Sequence, residues 1–284
     1  MSAIGAIPDY LVIGHATQDV VHEGGYRLGG TVTFSALTAR RLGLQVGILT
    51  SAHSASDLQA LAEIDIIWLP SEHNTVFENV YTPSGRKQYL RSVATALNPA
   101  DLPAEWCQAP IVHLGPVAQE VNPQFVGIFT NTLVGITPQG WLRRWDEQGQ
   151  VFPMALLRAE AILSAVGCVV LSLEDLGGDE GLLKQYIGMT RLLIQTQGVE
   201  GATVYYQGKG QRIPAYQAIE VDPTGAGDVF ATAFLIRYHE TQDPFAAAQF
   251  ANCVASFVVE GPGTSTIPAR SQVEERLRNG KLRS

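Results

Sequence analysis

The 284-residue chain is 46% hydrophobic and 16% charged, which excludes a disordered polymer and suits one large core, but it is short for two full domains. A net charge of -8 argues against a duplex-binding surface, because phosphate backbones are held by clustered Lys and Arg. Cys107, Cys168 and Cys253 are widely spaced, lack CxxC spacing and read as reduced core thiols.

The opening stretch MSAIGAIPDYLVIGH has no basic n-region and only a brief apolar run, so a cytoplasmic protein with no membrane span is expected. YLVIGH (residues 10–15) has the continuous apolar character of a strand buried on both faces. GGTVTFSALTARRLG follows, with Val32, Ser35, Ala36, Ala39 and Leu42 at helical spacing and Gly43 as a C-terminal stop. QVGILTS reads as a second buried strand.

Further short apolar runs at 65–69, 110–115, 132–137, 167–172 and 191–196 are separated by helix-like stretches. Strands alternating with helices predict a parallel sheet covered on both sides. Two segments break that rhythm: VVHEGGYRL (20–28), and TVFENVYTPSGRKQYLRSV (75–93), which alternates around the turn signal PSG. Both predict antiparallel, partly exposed ribbons that form a flap over the ligand edge of the sheet.

In EVDPTGAGDVF (220–230) two glycines and an aspartate stand where a helix begins, its apolar face supplied by Val229, Phe230, Ala233, Phe234 and Leu235. The first amides of a helix lack internal partners and carry the positive end of the dipole, so this is an anion site that glycines leave accessible. Asp228 within the same turn could accept a proton from an attacking hydroxyl while the amides hold phosphoryl oxygens. The alternative is structural: Asp222 or Thr224 caps the helix, Pro223 stiffens the turn, and Asp228 complements the dipole.

DPTGAGDVF resembles the C-terminal signature of the ribokinase-like, or PfkB, carbohydrate kinases, accompanied by the Gly29–Gly30 pair, TQG at 196–198 and GxGT at 261–264. The resemblance runs over nearly the whole chain. It implies a single α/β domain over 1–284, a three-layer α/β/α sandwich with a mostly parallel central sheet and a small β lid at about 19–28 and 75–93. It further implies transfer of the ATP γ-phosphate to an alcohol with Mg2+, with Asp228 as base and Gly225, Ala226 and Gly227 as anion hole. Asp19, Gly29 and Gly30 would hold substrate hydroxyls, Thr196, Gly198 and Thr224 the donor phosphates, and Asn252 would lie by the adenine.

Two departures from the family pattern matter. Phe34 stands where asparagine often grips the sugar, predicting a less polar pocket. The element that organises magnesium through water reads SLED, with Asp175 in the acidic position and Glu174 beside it; either could instead be a helix-capping acid. Arg86 and Arg91, and Arg143 and Arg144, could reach a substrate hydroxyl or phosphate, Arg86 being preferred for its place near the ribbon tip. Should a monovalent cation be required, which the sequence does not tell, loop 261–265 is where it is expected.

No GxxxxGK[ST], HExxH or GxSxG pattern occurs, which removes the common ATPase and hydrolase alternatives. The expected partner is a small sugar, a polyol such as an inositol, or a nucleoside, with no nucleic acid and no membrane, acting on a monomer or homodimer. A regulator that binds sugar or nucleotide without turnover is the rival from another class.

Overall fold

The computed structural model describes residues 6–21, 24–82 and 85–283; the side chains of 56, 81, 82 and 86 lie outside that description. Along the chain, β1 (Tyr10–Ile13) leads into a ribbon of β2 (Thr17–Val20) and β3 (Tyr26–Gly29). Helix α1 (Gly30–Arg41), strands β4 (Val46–Ala52) and β5 (Asp65–Pro70), and a second ribbon, β6 (Thr75–Thr82) and β7 (Gly85–Ser92), follow. Next come β8 (Ile111–Leu114), β9 (Leu133–Ile136), the short pair β10 (Arg143–Trp145) and β11 (Val151–Pro153), α2 (Ala159–Leu163), β12 (Cys168–Ser172) and α3 (Glu180–Met189). The chain ends with β13 (Leu192–Thr196), β14 (Ala202–Tyr206), β15 (Lys209–Ile213), α4 (Ala226–Thr241), α5 (Pro244–Val258) and α6 (Arg270–Asn279).

The central sheet has nine strands in the order β15-β14-β13-β12-β9-β8-β1-β4-β5. It is parallel except where β14 runs antiparallel to both β13 and β15. Strands β1, β4 and β8 are buried at every position, as continuous apolar runs in the middle of a doubly covered sheet require. On one face α1, α4, α5 and α6 pack their buried residues into the larger core cluster. Trp106, Phe125 and Trp141 join α2 and α3 on the other.

That second layer differs from the expected run of crossover helices. Between β7 and β12 the chain forms 3-10 turns at Pro99–Asp101, Ala104–Gln108, Pro123–Gly127 and Pro138–Leu142, and α2 has only five residues. Prolines at 99, 103, 110, 116, 123, 138 and 153 remove amide donors and clash with the preceding turn, so no long helix can propagate there. Cys168 and Cys253 are buried thiols as expected, whereas Cys107 is only half-buried beside one of these turns.

The two ribbons form a separate four-stranded sheet, β3-β2-β6-β7. Each ribbon is antiparallel, and a parallel pairing of β2 with β6 joins them. The lid therefore spans 17–29 and 75–92, close to the predicted limits. His15, just past β1, clasps its base: one ring nitrogen lies 2.7 Å from Thr75 Oγ1 and the other 2.9 Å from the Thr95 carbonyl. The Glu120 carboxylate accepts from the amides of His15, Val117 and Ala118, which fixes the loops beyond β1 and β8.

A buried chain of hydroxyls crosses the sheet. His113 Nε2 lies 2.9 Å from Thr137 Oγ1, and its Nδ1 lies 2.7 Å from the Tyr10 hydroxyl, which donates to Thr232 Oγ1 at 3.1 Å. Thr232 in turn donates to the Asp228 carbonyl at 2.9 Å. One tautomer satisfies every member: Thr137 donates to Nε2, and the Nδ1 proton goes to Tyr10. Burial holds His113 neutral, with its pKa lowered to about 3. Replacing Tyr10 with Phe leaves His113 Nδ1 only the longer contact to Ser35 Oγ at 3.3 Å and removes the donor to Thr232, so urea denaturation should report a loss of about 1 kcal/mol.

Candidate active site

The C-terminal ends of the central strands, the starts of α1 and α4, and the inner face of the lid enclose a cavity of about 830 Å3. This is the ligand edge of an open α/β sheet, and the size suits a small-molecule site. Of the predicted site residues, Asp19, Gly30, Asp175, Glu174, Thr196, Gly198, Thr224, Gly225, Ala226, Gly227, Asp228 and Asn252 all line it.

The segment 222–228 makes a tight entry to α4. Gly225 is the N-cap residue with φ of +78°, in the left-handed region, and no side chain caps the helix. A Cβ at Gly225 would also stand 2.2 Å from the Phe34 ring, so that ring fits only against a glycine. Asp222 does not cap the helix: it accepts from the amides of Thr224 (3.0 Å) and Gly263 (3.3 Å) and pairs with Arg27 of the lid at 3.3 Å. The Ala226 amide donates to the Pro223 carbonyl at 3.2 Å. The amides of Gly225, Gly227 and Asp228 meet no protein acceptor among the described residues. A Cβ at Gly227 would meet no atom within 4 Å, so this turn is an open cradle of the size and polarity that phosphate oxygens need.

Asp228 is half-buried and borders the cavity. Thr31 Oγ1, in the first turn of α1, donates to its Oδ1 at 2.7 Å. Burial is the main cause that pushes the Asp228 carboxyl up to about 6; Asp175 raises it further, while the Thr31 hydrogen bond and Arg143 pull it down. A carboxylate with this affinity is a better proton acceptor near neutral pH than an ordinary exposed aspartate. A helix N-terminus by itself favours the ionised carboxylate and so weakens it as a base, but here burial outweighs that effect.

Asp19 lies on the lid strand β2, opposite Arg27, and not on the edge of the central sheet. A Cβ on Gly29 would meet Asp19 Oδ2 at 2.6 Å, and Gly30 takes φ of +82° where a Cβ would strike the His15 carbonyl. The glycine pair therefore permits the lid carboxylate to lie directly on the start of α1. Phe34 is buried in the core beneath the cavity, its ring on Gly225. It supplies the apolar floor expected from the missing asparagine.

Asp175 is tied down: Oδ2 accepts from the Ser172 amide and hydroxyl, each at 2.8 Å, and Oδ1 from Gln139 Nε2 at 2.9 Å. Among the described residues no cluster of three or more His, Cys, Asp or Glu could cage a metal. The pair Glu174 and Asp175 suits an ion that keeps its waters and takes few protein ligands, as magnesium does. Thr196 Oγ1 lies 3.4 Å from the Leu171 carbonyl. Asn252 is buried and gives its Nδ2 to the carbonyls of Ile213 (3.0 Å) and Pro214 (3.2 Å), so its amide braces the outer wall of the cavity.

Of the arginines weighed from sequence, Arg143 faces the cavity; its guanidinium donates to the Val117 carbonyl at 3.2 Å and lies over Phe77 of the lid. Arg91 pairs with Glu78 and stacks on Tyr89, and Arg144 stacks on Phe152. The Arg86 side chain lies outside the described residues. Residues not singled out from sequence also reach the cavity: Thr31, Asn79, Gln88 and Gln139. Gln139 follows the end of a buried strand, a position that could have flagged it; Asn79 and Gln88 carry no local signal.

Residues 173–270, which include SLED from its second residue, TQG, DPTGAGDVF and GxGT, match the model of the pfkB family carbohydrate kinases. That stretch, about a third of the chain, is similar to the family. A nucleoside kinase from Methanocaldococcus jannaschii is 35% identical over 102 residues, which cover 35% of this chain but only 34% of that enzyme. The chain thus matches about a third of the length of that relative. An inositol 3-kinase from Zea mays is 26% identical over 258 residues, 79% of this chain and 65% of the relative. A solved pyrophosphate-dependent kinase of the ribokinase family, complexed with a pyrophosphate analog and myo-inositol, superposes with a TM-score of 0.79 at 20% identity, covering 94% of this chain and 99% of that one. That likeness establishes the ribokinase fold. Among the described residues no helix is long and apolar enough to cross a membrane.

Two substitutions test this site. Gly225→Ala should cost about 1–3 kcal/mol in urea denaturation, from overpacking against Phe34 and a strained φ. Asp228→Asn should stabilise the protein at pH 8 by about 1–3 kcal/mol, the carboxylate being penalised by burial but opening onto a wet cavity. Because the folded pKa of Asp228 is raised, the penalty is present above about pH 6 and is relieved as the pH falls through that value. The advantage of the variant in thermal melts should therefore shrink below pH 6.

Proposed function

We propose that this protein transfers a phosphoryl group from a nucleoside triphosphate to a hydroxyl of a small cyclic polyol of the inositol type. The observation that carries the reading is the uncapped start of α4 with Asp228 in its first turn, bordering the same cavity as the lid carboxylate of Asp19. Asp228 takes the proton of the acceptor hydroxyl, and the amides of Gly225, Gly227 and Asp228 hold phosphoryl oxygens as negative charge redistributes. Arg143 adds a positive charge in the same cavity. Glu174 and Asp175 would hold Mg2+ through water, where it would neutralise the charge on the donor phosphates.

At the acceptor end, Asp19, Asn79 and Gln88 offer hydrogen bonds to hydroxyls, while Phe34 and Phe77 offer apolar faces to the C–H side of a ring. That mixture fits a polyol ring better than an open chain. Beyond the helix start the cavity continues between Ala215, Ala218, Ala255 and Val259. Small apolar walls of this kind suit a flat heterocycle, which supports a nucleotide donor with Thr196, Gly198 and Thr224 beside its phosphates; Arg283, bonded to the Ala218 carbonyl at 3.2 Å, adds a cation on the same side. Pyrophosphate is the rival donor, as in the solved relative that uses it. A nucleoside is the rival acceptor, by likeness to the archaeal nucleoside kinase.

The experiment is a panel of inositols, sugars and nucleosides, assayed with Mg2+ and either ATP or pyrophosphate, with Asp228→Asn as control. Turnover of a cyclic polyol with ATP, lost in the variant, is the expected result. Saturable binding without turnover on any panel member would make the protein a sensor instead. For the active pair, kcat/KM should fall with unit slope below about pH 6, where Asp228 becomes protonated. Arg143→Ala should lower kcat by about tenfold or more and move that acid limb upward, because the arginine favours the ionised carboxylate.

A further inference from the structure

We infer that Thr31 is a positioning residue for Asp228, holding one carboxylate oxygen so that the other is presented to the acceptor hydroxyl; the second clause rests on the phosphoryl-transfer reading above. Thr31 Oγ1 donates to Asp228 Oδ1 at 2.7 Å across 197 residues of sequence. Among the described residues this is the one hydrogen bond that the Asp228 carboxylate receives from protein. Thr31 is 2% exposed, at the mouth of α1, and the hydrogen bond ties that helix start to the mouth of α4.

The side chain is held in its rotamer by its other branch. The Thr31 methyl lies against Gly115 at the end of β8, so closely that a Cβ on that glycine would come within 2.4 Å of it. A β-branched residue has a stiff χ1, so anchoring the methyl aims the hydroxyl. Threonine thus does what serine could do only with more rotational freedom. The bond acts on orientation and on charge together: it occupies Oδ1, and donation to a carboxylate favours the ionised form against burial and Asp175.

Thr31→Val keeps the shape and removes the hydroxyl, Thr31→Ser keeps the hydroxyl and removes the anchor, and Asp228→Asn is the control. Two readouts are needed: kcat and KM against pH with the acceptor found above, and the titration of the Asp228 carboxyl followed by carbon-13 NMR in the ligand-free protein, assigned by its loss in Asp228→Asn. In Thr31→Val the titration midpoint and the acid limb should both rise by about one unit, and kcat at pH 7 should fall about tenfold with acceptor KM changed less than about threefold. Thr31→Ser should stay within about threefold of the parent in kcat, because the donor remains.

An unchanged midpoint and pH profile in Thr31→Val would overturn the proposal, as would a serine variant as impaired as the valine one, which would mean that packing alone matters. The failure of the functional reading has a different signature. If no panel member is phosphorylated, or Asp228→Asn turns over normally, that reading falls, while the NMR midpoint still decides whether Thr31 governs Asp228.

Discussion

The site depends on the close approach of two helix starts. α1 and α4 come from opposite ends of the chain, yet the Phe34 ring rests on the backbone of Gly225 and the Thr31 hydroxyl reaches Asp228. The glycine serves two purposes there: it accepts a left-handed φ, and it leaves no Cβ where the ring must lie. With that contact made, two dipole ends without side-chain caps converge on one cavity. Negative ligand charge is the natural complement to such an arrangement.

The rest of the architecture holds that contact still or closes it over. The relay from Thr137 through His113 and Tyr10 to Thr232 ends on the Asp228 carbonyl, so the position of the α4 start is set from inside the sheet. His15 fastens the base of the second lid ribbon, and Arg27 of the first ribbon reaches the Asp222 carboxylate, which also binds the Gly263 amide. Lid, anion cradle and the 261–265 loop therefore meet at one aspartate. A lid held in this way can exclude water from a ligand in the cavity.

The cavity carries an electrostatic tension as well. The Asp175 charge disfavours the ionisation of Asp228, and Arg143 only partly offsets this. Asp175 is steadied by Ser172 and Gln139, hydrogen-bond donors without charge. Adding a hydrated divalent cation would relieve the repulsion between the acids without displacing any of these bonds.

Most of the strands, the two ribbons and the start of α4 were readable from local pattern. Buried parallel strands are continuous apolar runs, ribbons alternate, and the glycines of DPTGAGD mark backbone that a side chain would obstruct. The thin second layer was misjudged as helical because apolar spacing was weighed over seven prolines. Asp19, marked by the family resemblance to hold substrate hydroxyls, sits on the lid, since its strand pairs with β3 and β6. Backbone chemistry and periodicity are properties of neighbours in the chain, so the linear order of residues suffices to settle them. Which arginine faces the cavity, how burial raises Asp228, and that Thr31 is its partner depend on groups brought together from 197 residues apart, and only packing of the sheet against both helix starts creates those distances.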